Sequence, residues 1–188
     1  MKEQALKVEV SSPDFAYPRE RVWRLLLDPV VLSRLLPGVE KFEAVGPDQY
    51  AVQVKMGVGA VRGTYTGRVE IVDQKPPESY RLVGEAKGGP GWAKGEALLT
   101  LVSEASGGTR VVARGDVQIG GPIAGVGQRM MEGVAKSMAR EFFQSIDREL
   151  QGQVVKKISV ERFGLRILWD LVLEFFRNLF GRGPAAKP

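Results

Sequence analysis

The sequence predicts an α+β fold in which a seven-stranded, curved antiparallel sheet surrounds one long C-terminal helix. Two short helices follow the first strand, and an extra amphipathic helix lies beyond the domain. Three observations lead there. Apolar side chains recur every fourth residue at Val126, Met130, Val134, Met138, Phe142, Ile146 and Leu150, with Met131, Ala135, Ala139 and Phe143 beside them. Arg129, Glu132, Lys136, Arg140 and Asp147 take the other side, so the Gly120–Leu150 stretch carries a long helix with one broad apolar stripe. Most of the chain upstream alternates with period two between Gly- and Pro-rich turns, as short strands do. The connections are too short for crossover helices, which makes the pairing antiparallel. A stripe this wide needs a sheet to cover it.

Taken in order, Leu6, Val8 and Val10 alternate with polar residues in a first strand that is expected to run to about Ala16. Pro18 sets up a short helix with Val22, Trp23, Leu26 and Leu27 on its apolar side. Asp28-Pro29 breaks it, because a residue before proline avoids helical angles. A second short helix, 30–36, ends at Pro37-Gly38. Strands follow at about 39–45, 50–58, 60–72, 79–87, 92–103 and 109–119. Gly120-Gly121-Pro122 leads into the long helix.

The totals narrow the function. At 188 residues the chain fits one domain, 1–150, with a linker at 151–157, an amphipathic helix at 158–181 and a disordered end at 182–188. There is no Cys, which excludes disulfides and thiolate metal sites and fits a reducing compartment. There is no His, which removes the usual general base and the commonest metal ligand. The opening MKEQALKVEV lacks the apolar run of a secretory signal, so a cytoplasmic protein is expected. The net charge of +5 sits mostly beyond residue 150, where seven bases face three acids. The body is nearly neutral, so nothing marks it as a binder of nucleic acid. Gly57-Val58-Gly59 and the later glycines lack the strand-to-helix setting of a nucleotide fingerprint, and no carboxylates have metal-ligand spacing. No cofactor is expected.

The inward faces of the strands carry the candidate site. Alternation groups Val52, Val54, Met56 and Val58; then Val61, Gly63, Tyr65, Gly67, Val69 and Ile71. It groups Tyr80, Leu82, Gly84 and Ala86; Gly95, Ala97, Leu99 and Leu101; and Val111, Ala113, Gly115, Val117 and Ile119. Gly63, Gly67, Gly84, Ala86, Gly95, Ala97, Ala113 and Gly115 stand where a filled core would hold Leu or Ile. Flexible Met130, Met131 and Met138 with Val134 occupy the first half of the helix, whereas Phe142, Phe143 and Ile146 make the second half a firm core. Two readings fit. The small residues and methionines meet at one end and line an apolar pocket, or they accommodate bends and a close helix. A pocket would take an apolar or neutral ligand, held by shape and one hydroxyl such as that of Tyr65, because the inward set contains no charged residue.

The run P-R-E-R-V-W-R-L-L-L-D-P-V-V-L-S-R-L-L-P-G-V at 18–39, the G-x-Y-x-G at 63–67 and the G-P-I-A-G-V-G-Q-R at 121–129 resemble the CoxG family of carbon monoxide dehydrogenase subunits. That family belongs to the START/birch-pollen-allergen (SRPBCC) superfamily, and the resemblance spans about residues 5–150. It implies the helix-grip fold, a cavity for lipids or other hydrophobic molecules, and a non-catalytic accessory role. It also implies recruitment of a carbon monoxide dehydrogenase-type molybdenum hydroxylase to the membrane, and it supplies no catalytic residue.

The tail is the second candidate site. In ISVERFGLRILWDLVLEFFRNLFGRG, Phe163, Leu168, Trp169, Val172, Phe175, Phe176 and Phe180 contribute to an apolar surface, while Arg162, Arg166, Asp170, Glu174 and Arg177 form a polar strip. Charges at every fourth position rule out the ~20 predominantly apolar residues of a spanning helix. Amphipathic character with Lys156, Lys157 and Arg166 nearby suits a helix lying on the inner face of a membrane. The same helix also suits a homodimer, a partner's groove or packing on the domain. Three functions follow: a hydrophobic-ligand-binding adaptor for a lipid- or quinone-like molecule held at the membrane, a structural adaptor with a vestigial cavity, and a cofactor-independent enzyme of the same fold. For the last, Glu96 and Asp116 are the available carboxylates, and alternation turns both outward.

Overall fold

The structure, a computed structural model, describes residues 3–57 and 61–153. Strand β1 (Glu3–Ser11) is followed by helices α1 (Arg19–Leu26) and α2 (Pro29–Leu35). Strands β2 (Val39–Gly46), β3 (Gln49–Met56), β4 (Gly63–Lys75), β5 (Ser79–Gly88), β6 (Gly91–Ser103) and β7 (Thr109–Gly120) come next, and helix α3 (Gln128–Leu150) closes the fold. The strands form one antiparallel sheet in the order β1-β7-β6-β5-β4-β3-β2. Five consecutive hairpins build it, and β1 is laid on β7 in continuous register from Glu3 opposite Gly120 to Ser11 opposite Val112.

The two short helices are specified locally. Asp28 caps α2 by accepting from the backbone N–H groups of Val30 and Val31 at 2.9 and 3.2 Å, and Pro29 occupies the first turn, where its missing N–H costs nothing. Val22, Trp23 and Leu26 of α1 and Val31 and Leu35 of α2 point into the core. The α3 terminus is clasped by both helices. Arg21 donates to the Leu150 carbonyl at 2.8 Å, and Arg34 pairs with Glu149 at 2.7 Å. Cations there meet the negative end of the helix dipole.

The structure revises three expected boundaries. The first strand ends at Ser11, not Ala16. Pro13 cannot extend the ladder, and only Phe15 returns to form a single bridge with Thr109. Strand β4 begins at Gly63; residues 58–60, including the expected inward Val58, lie outside the described residues. The helical stretch is also interrupted. A one-turn 3₁₀ helix at Pro122–Gly125 precedes Gly127, whose φ of 94° separates it from α3, so Val126 is not part of the long helix. The linker beyond Gln153, the 158–181 helix and the 182–188 end lie outside the described residues.

Candidate functional site: the apolar face between sheet and long helix

Inward-facing residues of β3–β7 and the apolar side of α3 form two clusters rather than one core. The first unites Ile71, Tyr80, Leu99, Leu101 and Val111 with α1, α2 and the second half of α3. Phe143, Ile146 and Leu150 are 3%, 0% and 1% exposed there. Trp23 meets the Tyr80 ring edge to face at 5.5 Å, and Phe42 stacks on Tyr50 at 4.7 Å. The second cluster holds Leu6, Val61, Tyr65, Ile119, Ile123 and Ala124, with Met56, Ala86, Val117, Met131 and Met138 only partly buried around it. Between the clusters lie half-buried Val54, Gly84, Gly95 and Gly115, together with Val134, which is 3% exposed. Ala97 and Ala113 border the first cluster at this seam.

The small residues divide into two kinds. A side chain at Gly67 would run into the Glu85 carbonyl and the Ala86 Cα, and one at Gly95 into the Asp116 carbonyl. At Gly84 the Arg68 carbonyl stands 3.0 Å from a Cβ position, and at Gly63 the Pro90 ring stands at 2.9 Å. Gly67, Gly84 and Gly95 are sites of close approach between neighbouring strands, and Gly63 is one between β4 and the turn joining β5 to β6. Gly115 is different: its Cβ position has ordinary contacts, the Glu96 carbonyl at 3.7 Å and the Ala97 Cβ at 3.9 Å. Gly115 is therefore the one of these five positions where a Cβ would meet only ordinary contacts, and the bend-and-approach reading holds for the other four.

Two further expected positions change role. The Tyr65 hydroxyl donates to the Val61 carbonyl at 3.1 Å, and burial raises its pKa, so its proton is engaged within the protein. Met130 belongs to neither apolar cluster. It lines an open depression of about 690 Å³ with Val126, Gly127, Gln128, Arg129 and Glu132, at the start of α3. Gly67 and Ala86 also border a smaller groove of about 310 Å³ rimmed by Arg68, Glu85 and Lys87.

The outer face is a lattice of exposed charges. Arg81 joins Asp73 at 3.2 Å and Glu96 at 2.6 Å, Lys7 joins Asp116 at 3.7 Å, and Arg114 holds Glu9. The hydrogen bond and charge of Arg114 lower the Glu9 pKa. Glu96 and Asp116 are thus ion-paired surface residues on adjacent strands, turned away from the groove as alternation requires. Among the described residues no three acidic side chains converge as a metal site, and no helix is long and apolar enough to cross a membrane. The tail positions Lys156, Lys157, Phe163, Arg166, Leu168, Trp169, Val172, Phe175, Phe176 and Phe180 lie outside the described residues.

A curved antiparallel sheet gripping one long C-terminal helix, with two short helices after the first strand, defines the helix-grip class of the SRPBCC proteins. Solved structures of that shape include a conserved protein from Geobacillus kaustophilus, 33% identical over 78% of this chain and 96% of its own, with a TM-score of 0.74. A protein from Rhizobium leguminosarum (14% identity, 81% and 100% coverage, TM-score 0.60) and the Zhui aromatase/cyclase from Streptomyces sp. R1128 (18%, 81% and 100%, 0.55) share the fold. A comparison with curated proteins found no match. Within that class the chain belongs to the CoxG family of carbon monoxide dehydrogenase subunits, whose model matches residues 13–151.

Proposed function

We propose that the protein is a non-catalytic accessory protein that binds a lipid- or quinone-like molecule in the groove between sheet and α3. Membership of the CoxG family supports a link to a carbon monoxide dehydrogenase-type molybdenum hydroxylase. In this reading the tail brings that enzyme to the inner face of the membrane. The observation that carries the proposal is the unequal burial of one apolar stripe: Phe143, Ile146 and Leu150 of the second half of α3 are buried, while Met131 and Met138 are half-buried against an uncharged sheet face. An uncharged concave wall with few polar groups suits a neutral, largely hydrophobic ligand, oriented by shape.

The close-approach glycines favour a second reading, a structural adaptor whose groove is vestigial, because they remove much of the volume that small residues suggest. Gly115 separates the two. The full chain and its Gly115→Leu variant are purified without detergent, extracted with solvent and analysed by mass spectrometry. A carrier yields a stoichiometric hydrophobic molecule from the wild type and a several-fold lower yield from the variant at unchanged fold. Extracts empty from cells grown under several conditions, with the fold intact, leave the adaptor standing and sink the carrier.

A further inference from the structure

We infer that the domain itself docks on an anionic lipid surface, through the convex face of the sheet at its half-covered end. The first ground is which bases are already engaged. On β5, β6 and β7, Arg81, Arg110 and Arg114 are ion-paired with Asp73, Glu96, Asp14, Glu104 and Glu9. Lys87 and Lys94 on the same strands are exposed and make no ion pair or hydrogen bond among the described residues. The same holds for Lys55 and Arg68 of β3 and β4 and for Arg62, just before β4.

The second ground is where these bases stand. The register sets Arg68 opposite Glu85 and Glu85 opposite Lys94; one step further out, Thr66 is opposite Lys87 and Lys87 opposite Trp92. Diagonal neighbours on one face of a sheet are about 7–8 Å apart, so Arg68, Lys87 and Lys94 surround one acid, Glu85. An open groove of about 310 Å³ runs between Thr66, Arg68, Glu85 and Lys87, where an acidic headgroup can enter. The next row along the same face is acidic, with Glu70, Glu96 and Asp116. Those acids are already held by Gln49, Arg81 and Lys7. A basic end followed by an acidic row gives the face a direction, so a negative surface attracts the end and repels the middle.

The third ground selects lipid over other polyanions. The Trp92 indole lies over Gly120, where any Cβ would run into the ring, and so stays half-exposed on the convex face beside Lys87. Tryptophan next to lysine is the combination that settles at the headgroup level of a bilayer. On the opposite face of the same strands, Met56, Tyr65 and Ala86 adjoin Lys55, Thr66 and Lys87 in sequence and belong to the half-buried cluster. The unengaged bases and the incompletely covered cluster therefore share one end of the sheet, and a surface that attracts the bases meets that end first. This inference concerns the domain, not the tail, and stands whether or not a ligand is bound.

The test uses the full chain, so that the tail is the same in every sample. Binding to phosphatidylcholine vesicles is measured by flotation, with and without phosphatidylglycerol. Lys87→Glu with Lys94→Glu should lower binding to the anionic vesicles at least about tenfold. Lys7→Glu with Lys75→Glu changes the net charge equally and should lower it less than about twofold, since these exposed bases lie away from the patch. The absence of native cysteine adds a readout of position. An environment-sensitive fluorophore on Thr66→Cys should shift to the blue on anionic vesicles, whereas one on Ser103→Cys, at the far end of β6, should not. Circular dichroism of each variant confirms that the domain remains folded. Equal losses in the two charge variants, no preference of the wild-type chain for anionic vesicles, or equal shifts at the two labels overturns the inference. Vesicles that leave the Thr66 label unshifted, together with loss of a co-purifying acidic protein from the Lys87→Glu, Lys94→Glu variant, would assign the patch to a protein surface and overturn it equally.

Discussion

The two halves of α3 are built from the same periodic stripe and meet the same sheet, yet one is core and the other is wall. In the second half Phe143, Ile146 and Leu150 interlock with α1, α2 and the ends of five strands, and the helix terminus is fastened by Arg21 and Arg34. The cluster at the first half holds no residue of α1 or α2, and a one-turn 3₁₀ helix supplies Ile123 and Ala124 instead. The methionines there lie partly buried in a cluster with Leu6, Val61, Tyr65, Ile119 and Ile123. A helix-grip fold therefore concentrates its stability at one end and leaves the other adaptable. Partial coverage follows from topology: α1 and α2 pack at the same end, and among the described residues the other end has a one-turn 3₁₀ helix in their place.

The sharpest way to break this comparison is a matched pair of truncations. Ile146→Ala should cost about 2–5 kcal/mol, the range for deleting a fully buried aliphatic side chain. Met131→Ala should cost no more than about 1 kcal/mol, because its surroundings are half open and can relax. Thermal or urea unfolding of both variants measures the difference. Equal losses would mean that the open half is as firmly packed as the closed one.

A smaller effect is expected from the seam. Gly67→Ala forces a methyl toward the Glu85 carbonyl and should destabilise by about 1–3 kcal/mol, as overpacking does. Gly115→Ala meets only ordinary contacts and should stay within about 0.5 kcal/mol of wild type. Similar melting temperatures for the two variants would erase the distinction between close-approach and open glycines.

The smallest expected effect is an alkaline pH dependence centred on the packed end. Burial raises the Tyr80 pKa above its ordinary value, because the phenolate has no solvation beside Trp23. The unfolded chain releases this proton above about pH 10 while the folded chain retains it, so stability is complete below that pH and declines as pH rises further. Tyr80→Phe should flatten the alkaline decline in melting temperature, with a lesser share left to Tyr50 and Tyr65, whose pKa values burial also raises. An unchanged alkaline slope would mean that Tyr80 ionises as freely as an exposed tyrosine.

Much of the fold was legible because its signals are local. Period-two alternation located every strand after the first within a few residues. Asp28-Pro29 separated the short helices, and the fourfold apolar spacing announced α3. The errors fell where tertiary contact overrides pattern. Gly127 breaks a stretch whose apolar spacing is unbroken, and β1 stops where its last residues leave β7. The candidate groove was legible in outline only. Small inward residues look alike along a sequence, but a side chain at Gly67 or Gly95 would clash with a neighbouring backbone while one at Gly115 would meet only ordinary contacts. No pattern in one chain distinguishes these, since the distance to the next strand depends on how the sheet coils. Likewise, nothing marked Tyr65 as bonded to Val61, or Arg21 and Arg34 as the clasp on α3.

By itself the sequence determined which residues are strand and helix and which faces are apolar, and it carried the motifs of the CoxG family. Those properties follow from side-chain periodicity and backbone preference over a few residues, so they need no knowledge of distant partners. Only the tertiary structure decided that the apolar stripe of α3 is sealed at one end and half-covered at the other. That outcome rests on where α1 and α2 pack and how closely β4, β5, β6 and β7 approach, and both are settled by contacts between residues far apart in the chain.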